Sequence, residues 1–78
     1  EKEAQAEYAE LLRRLYEAIS SLTPAQARRV HARYMLGMKV KDIAAMEGIT
    51  PSQAGKSIHA ALRRLRRYFE RRKWTSGL

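Results

Sequence analysis

The stretch Val40-Lys41-Asp42-Ile43-Ala44-Ala45-Met46-Glu47-Gly48-Ile49-Thr50-Pro51-Ser52-Gln53-Ala54-Gly55-Lys56-Ser57 has the spacing of two helices joined by a tight turn. Ile43 and Ala44 fall midway through a short helical segment, Gly48 ends it, and Thr50-Pro51-Ser52-Gln53 opens a second helix. Two short helices cross closely only where a small side chain such as Ala44 lies between their backbones. A sharp turn favours a residue that tolerates positive φ, here Gly48. This is the residue grammar of a helix-turn-helix, and it predicts a DNA-binding element.

Upstream of that motif the apolar residues Tyr8, Leu11, Leu12, Leu15, Ile19 and Leu22 recur at spacings of three and four, which predicts an amphipathic helix from about Glu3 to Ser20. Thr23-Pro24-Ala25-Gln26 then reads as a helix start, with Thr23 as N-cap, Pro24 where its missing N–H is harmless, and Gln26 placed to close a capping box. The second helix is expected to run to about Leu36, burying Val30, Tyr34, Ala27 and Met35, with Gly37 as the left-handed residue after its end. The third, Val40 to Glu47, uses Val40, Ile43, Ala44 and Met46 as apolar positions. Asp42 suits the helix dipole in its first turn, whereas Lys39 is a poor N-cap. The fourth is expected from Pro51 to about Lys73. No strand signal is present, so the predicted class is all-α: a small four-helix domain with a C-terminal helix-turn-helix and a long basic recognition helix.

Charge divides the chain. Residues 1–20 carry five glutamates against Lys2, Arg13 and Arg14, a net of −2, whereas residues 21–78 carry thirteen Lys/Arg against Asp42, Glu47 and Glu70, a net of +10. A positive field of that size draws polyanions and weakens with salt. Seventy-eight residues allow one domain with a modest core. The acidic first helix, 1–20, belongs to the same domain as the helix-turn-helix part, 21–73, and 74–78 reads as a tail. The absence of cysteine removes disulfides and thiolate zinc sites and makes a cytoplasmic location the natural expectation. No apolar run approaches membrane-spanning length. The missing initiating Met points to a fragment of something longer.

On the fourth helix Ala54, Ile58, Ala61, Leu62, Leu65 and Phe69 fall on one side, while Ser52, Lys56, His59, Arg63 and Arg67 project from the other. A recognition helix reads base edges with its first turns, which makes Ser52, Gln53, Lys56, Ser57 and His59 the base-reading candidates; Gln53 suits adenine and Lys56 guanine. Arg63, Arg64 and Arg67 would then stand beside phosphates, with Thr50 at the helix start also near the backbone. Gly55 is costly inside a helix and is compatible with a close approach of DNA.

From about Leu12 to Phe69 the chain resembles the C-terminal promoter-binding domain, region four, of bacterial sigma factors. The likeness is carried by Leu15, Ala18, Ile19 and Leu22 ahead of Thr23, by Arg29-Val30 and the Tyr34–Gly37 stretch, and by Asp42-Ile43-Ala44 and Gly48-Ile49-Thr50. It continues through Ser57-Ile58 and Ala61-Leu62-Arg63-Arg64-Leu65. It looks closest to the small sigma-like proteins of phages and mobile elements. The resemblance implies double-stranded DNA as partner, with the last helix on the −35 promoter element, and docking of the first helices on the β-subunit flap of RNA polymerase. It carries the recognition positions to Ser52, Gln53, Lys56 and Ser57 and adds Arg28, Arg29 and Lys41 as backbone contacts. The chain departs from the family pattern at Met38-Lys39, where a Ser usually caps the third helix, at Ala54 in place of a β-branched residue, and at Gly55 in place of a basic one.

Other readings compete with this one. A helical protein-interaction module would use Tyr8, Leu11, Leu15 and Ile19 as a partner-binding face, for another protein or for self-association through the first helix. A repressor or a phage DNA-processing protein would share the helix-turn-helix without acting as a sigma factor. Membrane binding through Trp74 is disfavoured because Glu70 interrupts the cationic face and the core claims the apolar one. His31 and His59 lack a carboxylate at ligand spacing, so no metal or other cofactor is expected. Ser57 and His59 point to different sides of a helix, and no Gly-rich phosphate loop is present, so the reading is not an enzyme.

Overall fold

Two threonines start two helices by the same local device. In a computed structural model that describes residues 2–74, the Gln26 amide donates to Thr23 Oγ1 at 3.2 Å while the Thr23 amide donates to Gln26 Oε1 at 3.2 Å. Thr50 and Gln53 repeat the exchange at 3.0 and 2.9 Å. Each box satisfies orphan amides of a helix start, and Pro24 and Pro51 occupy the first helical turn. The elements are α1 (Lys2–Ile19), α2 (Pro24–Val30) continued by a π-helical turn (His31–Met35), α3 (Val40–Glu47) and α4 (Pro51–Arg71). Among the described residues there is no strand.

Glycines close α3 and the π turn. Gly48 at φ 68° lets the Ile49 amide reach back to Ala44 O at 3.0 Å, and Gly37 at φ 68° lets the Met38 amide reach Ala32 O at 3.0 Å. The end of α4 uses the same geometry without glycine. Lys73 adopts φ 57°, its amide donates to Glu70 O at 3.0 Å, and the Trp74 amide donates to Phe69 O at 2.9 Å. Trp74, assigned to the tail on sequence grounds, therefore turns back onto α4, its ring 5.5 Å from Phe69 and 5.8 Å from Tyr68. Of that tail, residues 75–78 lie outside the described residues.

All of α1, α2 and α3 pack on α4. The helix offers them Ala54, Ile58 and Ala61, and the alanines let neighbouring backbones come close. Leu22, Val30 and Ala61 form one cluster with Ile19, Ala27 and Leu65 packed on it; Ala32, Ile43 and Ile58 form a second, flanked by Met38 and Val40. Ala44 is buried between α3 and α4, as its size predicts.

Several apolar positions depart from expectation. Tyr34 and Met35 are 55% and 62% exposed, not buried. Both line an open apolar groove between α1, α2 and α4 and not a closed core; beside them the Leu36 amide bonds His31 O at 3.1 Å, five residues back, in a π turn. Regular α2 consequently stops at Val30 and does not continue to Leu36. Met46 faces solvent, and Leu62 sits at the rim of the core. Lys39 makes no side-chain cap for α3.

A polar chain ties α2, α3 and α4 together. Glu47 accepts from Arg28 Nη2 and from Arg29 Nε, each at 2.8 Å, and Arg29 Nη1 donates to Ser57 Oγ at 2.7 Å. The Arg29 and Glu47 side chains are only 18% and 15% exposed, so this pair is shielded from solvent. Hydrogen bonds from Arg29, then Arg28, hold the Glu47 carboxyl below the ordinary carboxylate range. Because folding lowers this pKa, the stabilisation is present above the unfolded value of about 4.3 and is lost as pH falls through the folded value. Glu47→Gln is expected to lower the unfolding free energy at neutral pH by about 1–3 kcal/mol. Urea unfolding at about pH 7 and about pH 3 should show that deficit shrinking in acid, and an equal deficit at both would contradict the assignment.

Two glycine substitutions test the backbone reading. A Cβ on Gly55 would meet only Val40 Cγ1, at 4.0 Å, in ordinary contact. Gly55→Ala should therefore stabilise the chain by about 0.5–1 kcal/mol. Gly48→Ala places a side chain at positive φ and should destabilise it by about 1 kcal/mol or more. Thermal unfolding decides both; a lowered midpoint for Gly55→Ala would contradict the packing described.

Candidate nucleic-acid interface

With one face of α4 committed to the core, its opposite face carries polar and cationic side chains into solvent. Ser52, Gln53, Lys56, His59, Arg63, Arg64 and Arg67 are all exposed. Apart from Gln53, none of them has a hydrogen bond, ion pair or ring contact among the described residues. At about 1.5 Å per residue the helix is roughly 31 Å long. Its leading turns thus present Ser52, Lys56 and His59 to solvent with no partner among the described residues.

Gln53 and Ser57 differ from their neighbours. The Gln53 side-chain oxygen accepts from the Thr50 amide at 2.9 Å, which leaves the amide nitrogen as the side chain's donor. A bidentate adenine pair would have to share that oxygen with the cap. Ser57 is half-buried on the side facing α2, where it accepts from Arg29 at 2.7 Å. Local spacing could not reveal this contact, because the partners are 28 residues apart.

The residues transferred as backbone contacts fall in different settings. Thr50 and Lys41 are exposed; Lys41 follows Val40, whose Cγ1 lies beside Gly55, so α3 begins next to the first turns of α4. Arg28 is exposed but bonded to Glu47. Arg29 is withdrawn from solvent and shared between Glu47 and Ser57, an internal tie between helices and not a free cation.

The partner-binding candidates on α1 also divide. Tyr8 and Leu11 are 63% and 46% exposed, whereas Leu15 and Ile19 are half-buried. Leu15, Ile19, Val30, Tyr34, Leu62 and Leu65 border an apolar groove of about 380 Å³ between α1, α2 with its π turn, and α4. Arg13 and Arg14 both bond Glu10, at 2.6 and 3.2 Å, on the outer face of α1. Among the described residues no group of His, Asp and Glu could hold a metal ion, and no helix is long and apolar enough to cross a membrane.

An exposed cationic helix face, a left-handed glycine between α3 and α4, and a capping box at the start of α4 are the parts of a helix-turn-helix that meets DNA. Comparison with known families agrees: the family sigma-70, region 4 matches residues 12–65, from within α1 to the middle of α4. No curated protein and no solved structure gave a significant match. The match covers more than half of the chain and spans every helix, and the family is a DNA-binding, promoter-recognition class and not a catalytic one. The chain therefore belongs to the sigma-70 region 4 family.

Proposed function

We propose that this chain recognises promoter DNA in the manner of a sigma factor, with the leading turns of α4 in the major groove at a −35-type element. The observation that carries this reading is the row of exposed, unpartnered side chains Ser52, Lys56 and His59 on a helix whose other side is buried. Lys56 is the principal base reader, Ser52 and His59 flank it, and Gln53 contributes its amide nitrogen while its oxygen holds the cap. Lys41, Arg63, Arg64 and Arg67 neutralise phosphates, and the Thr50 hydroxyl is placed to hydrogen-bond one. Arg28, and Arg29 through Ser57, set the angle at which α4 leaves the body. Such a protein acts in the cytoplasm and has no catalytic step or cofactor.

The reading predicts two separable effects. With about five phosphates contacted, the logarithm of the binding constant should fall with the logarithm of salt at a slope of about −4.5. In competition between duplexes, Lys56→Ala should erase the preference for the best site while leaving non-specific binding, a loss of about 1–3 kcal/mol in discrimination. Ser57→Ala should weaken all duplexes alike. A flat salt response, or an intact preference in Lys56→Ala, would refute promoter recognition by this helix.

The partner proposed for the apolar groove is the flap of the RNA polymerase β subunit, presented as an apolar segment against Leu15, Ile19 and Met35. Met35 is exposed at the groove's edge, so Met35→Glu should fold normally. It should keep duplex affinity and lose retention on purified β-flap domain. Retention equal to that of the parent chain would exclude the groove, and a shift of the free chain from dimer to monomer in this variant would favour self-association in its place.

A further inference from the structure

The last turns of α4 hold a second cationic feature, set apart from the leading edge. Arg64, Arg67 and Arg71, together with Ser21, Tyr68 and Arg72, line a cleft of about 420 Å³ beside the turn that links α1 to α2. Arg66 meets Glu70 at 3.5 Å and Arg72 meets Glu17 at 3.9 Å. Arg64, Arg67 and Arg71 have no hydrogen bond, ion pair or ring contact among the described residues. They stand three and four residues apart, the spacing at which like charges on a helix oppose its formation. The helix dipole accounts for a cation in the final turn, Arg71, but reaches neither Arg67 nor Arg64 with comparable strength.

The chemistry of the cleft selects its ligand. Arg64, Arg67 and Arg71 all line one concavity, and the guanidinium fork matches phosphate oxygens two at a time. The Arg72 guanidinium lies 3.9 Å over the Tyr68 ring, which fixes one wall. The Ser21 hydroxyl already donates to Ala18 O at 2.6 Å, so Ser21 shapes the site and the arginines supply the donors. Arg64 and Arg71 are seven residues apart, about 10 Å along the axis, roughly the rise of three phosphates in one strand. Lys56 and Arg71 are fifteen residues apart, about 22 Å, against a major groove about 12 Å wide. When Lys56 is among base edges, Arg71 is outside the groove.

We propose that this cleft is a second phosphate-binding site that takes consecutive phosphate groups. They are supplied either by nucleic-acid backbone flanking the read element or by a free oligophosphate. Arg64 and Arg67, which the proposed function also sets beside phosphates, form its inner wall and Arg71 its outer one, and the site holds phosphate whether or not the leading edge of α4 reads bases.

Trp74 is the only tryptophan, and its ring lies 5.7 Å from the Arg72 guanidinium, so its fluorescence reports on the cleft. Sodium tripolyphosphate titrated into the full chain at low ionic strength should give a saturable change. The affinity should drop at least tenfold in the Arg67→Gln/Arg71→Gln double variant and stay unchanged in Lys56→Ala. A non-saturating response, or equal affinity in a double variant whose circular dichroism matches the parent, overturns the proposal. Duplexes of about 12 and about 30 base pairs then separate the sources. A salt slope reduced by about 1 in Arg71→Gln on the longer duplex alone assigns the site to flanking backbone, and unchanged slopes on both assign it to a free oligophosphate. Failure of base reading shows instead as an intact duplex preference in Lys56→Ala, so the two ideas fail separately.

Discussion

Close approach of helix backbones at alanine is the constraint from which the rest follows. Ala18, Ala44, Ala54 and Ala61 are each no more than 1% exposed, and among the described residues no large side chain is buried to that degree. A chain of this length cannot surround α4 with a thick apolar layer, so it packs three helices against one narrow strip of small residues. Leu, Ile or Phe at those positions would push the helices apart. The narrow strip is what leaves the opposite side of α4 free for Ser52, Lys56, His59 and the arginines.

Polar side chains supply the orientation that so small a core cannot. The capping box of Thr50 and Gln53 fixes where α4 begins, and the chain from Glu47 through Arg29 to Ser57 fixes how it lies against α2 and α3. Both devices use residues at or beside the cationic edge. The site and its support therefore share side chains: Gln53 caps with its oxygen and presents its nitrogen, and Ser57 faces inward although it stands one residue from Lys56. A similar tie operates at the far end, where Trp74 packs on Phe69 and Tyr68 with the Arg14 guanidinium of α1 5.4 Å over its ring.

What was legible in the sequence was local. Thr-Pro-x-Gln at 23 and at 50, and Gly at 37 and at 48, act within one turn of chain, and the helices start and stop where those residues direct. The free cationic face of α4 was legible for the same reason, since two residues, about half a helical turn, separate Lys56 from Ile58 and Arg63 from Ala61. The settings of Arg29 and Ser57 were not, because their partners are 18 and 28 residues away and only the packed fold brings them together. Tyr34 and Met35 were misplaced because periodicity shows which residues share a side of a helix, not that this side borders an open groove. Ala18 escaped the predicted core because a stripe drawn through large apolar residues passes over a small one.

The central claim is that the exposed leading turns of α4 read sequence, beyond attracting phosphate. Selection of binders from a pool of random duplexes tests it most directly. Repeated rounds should enrich a short common element, and Lys56→Ala should select a different element or none. Retention of duplexes by charge alone, with no element emerging from the wild-type chain after repeated rounds, would contradict it.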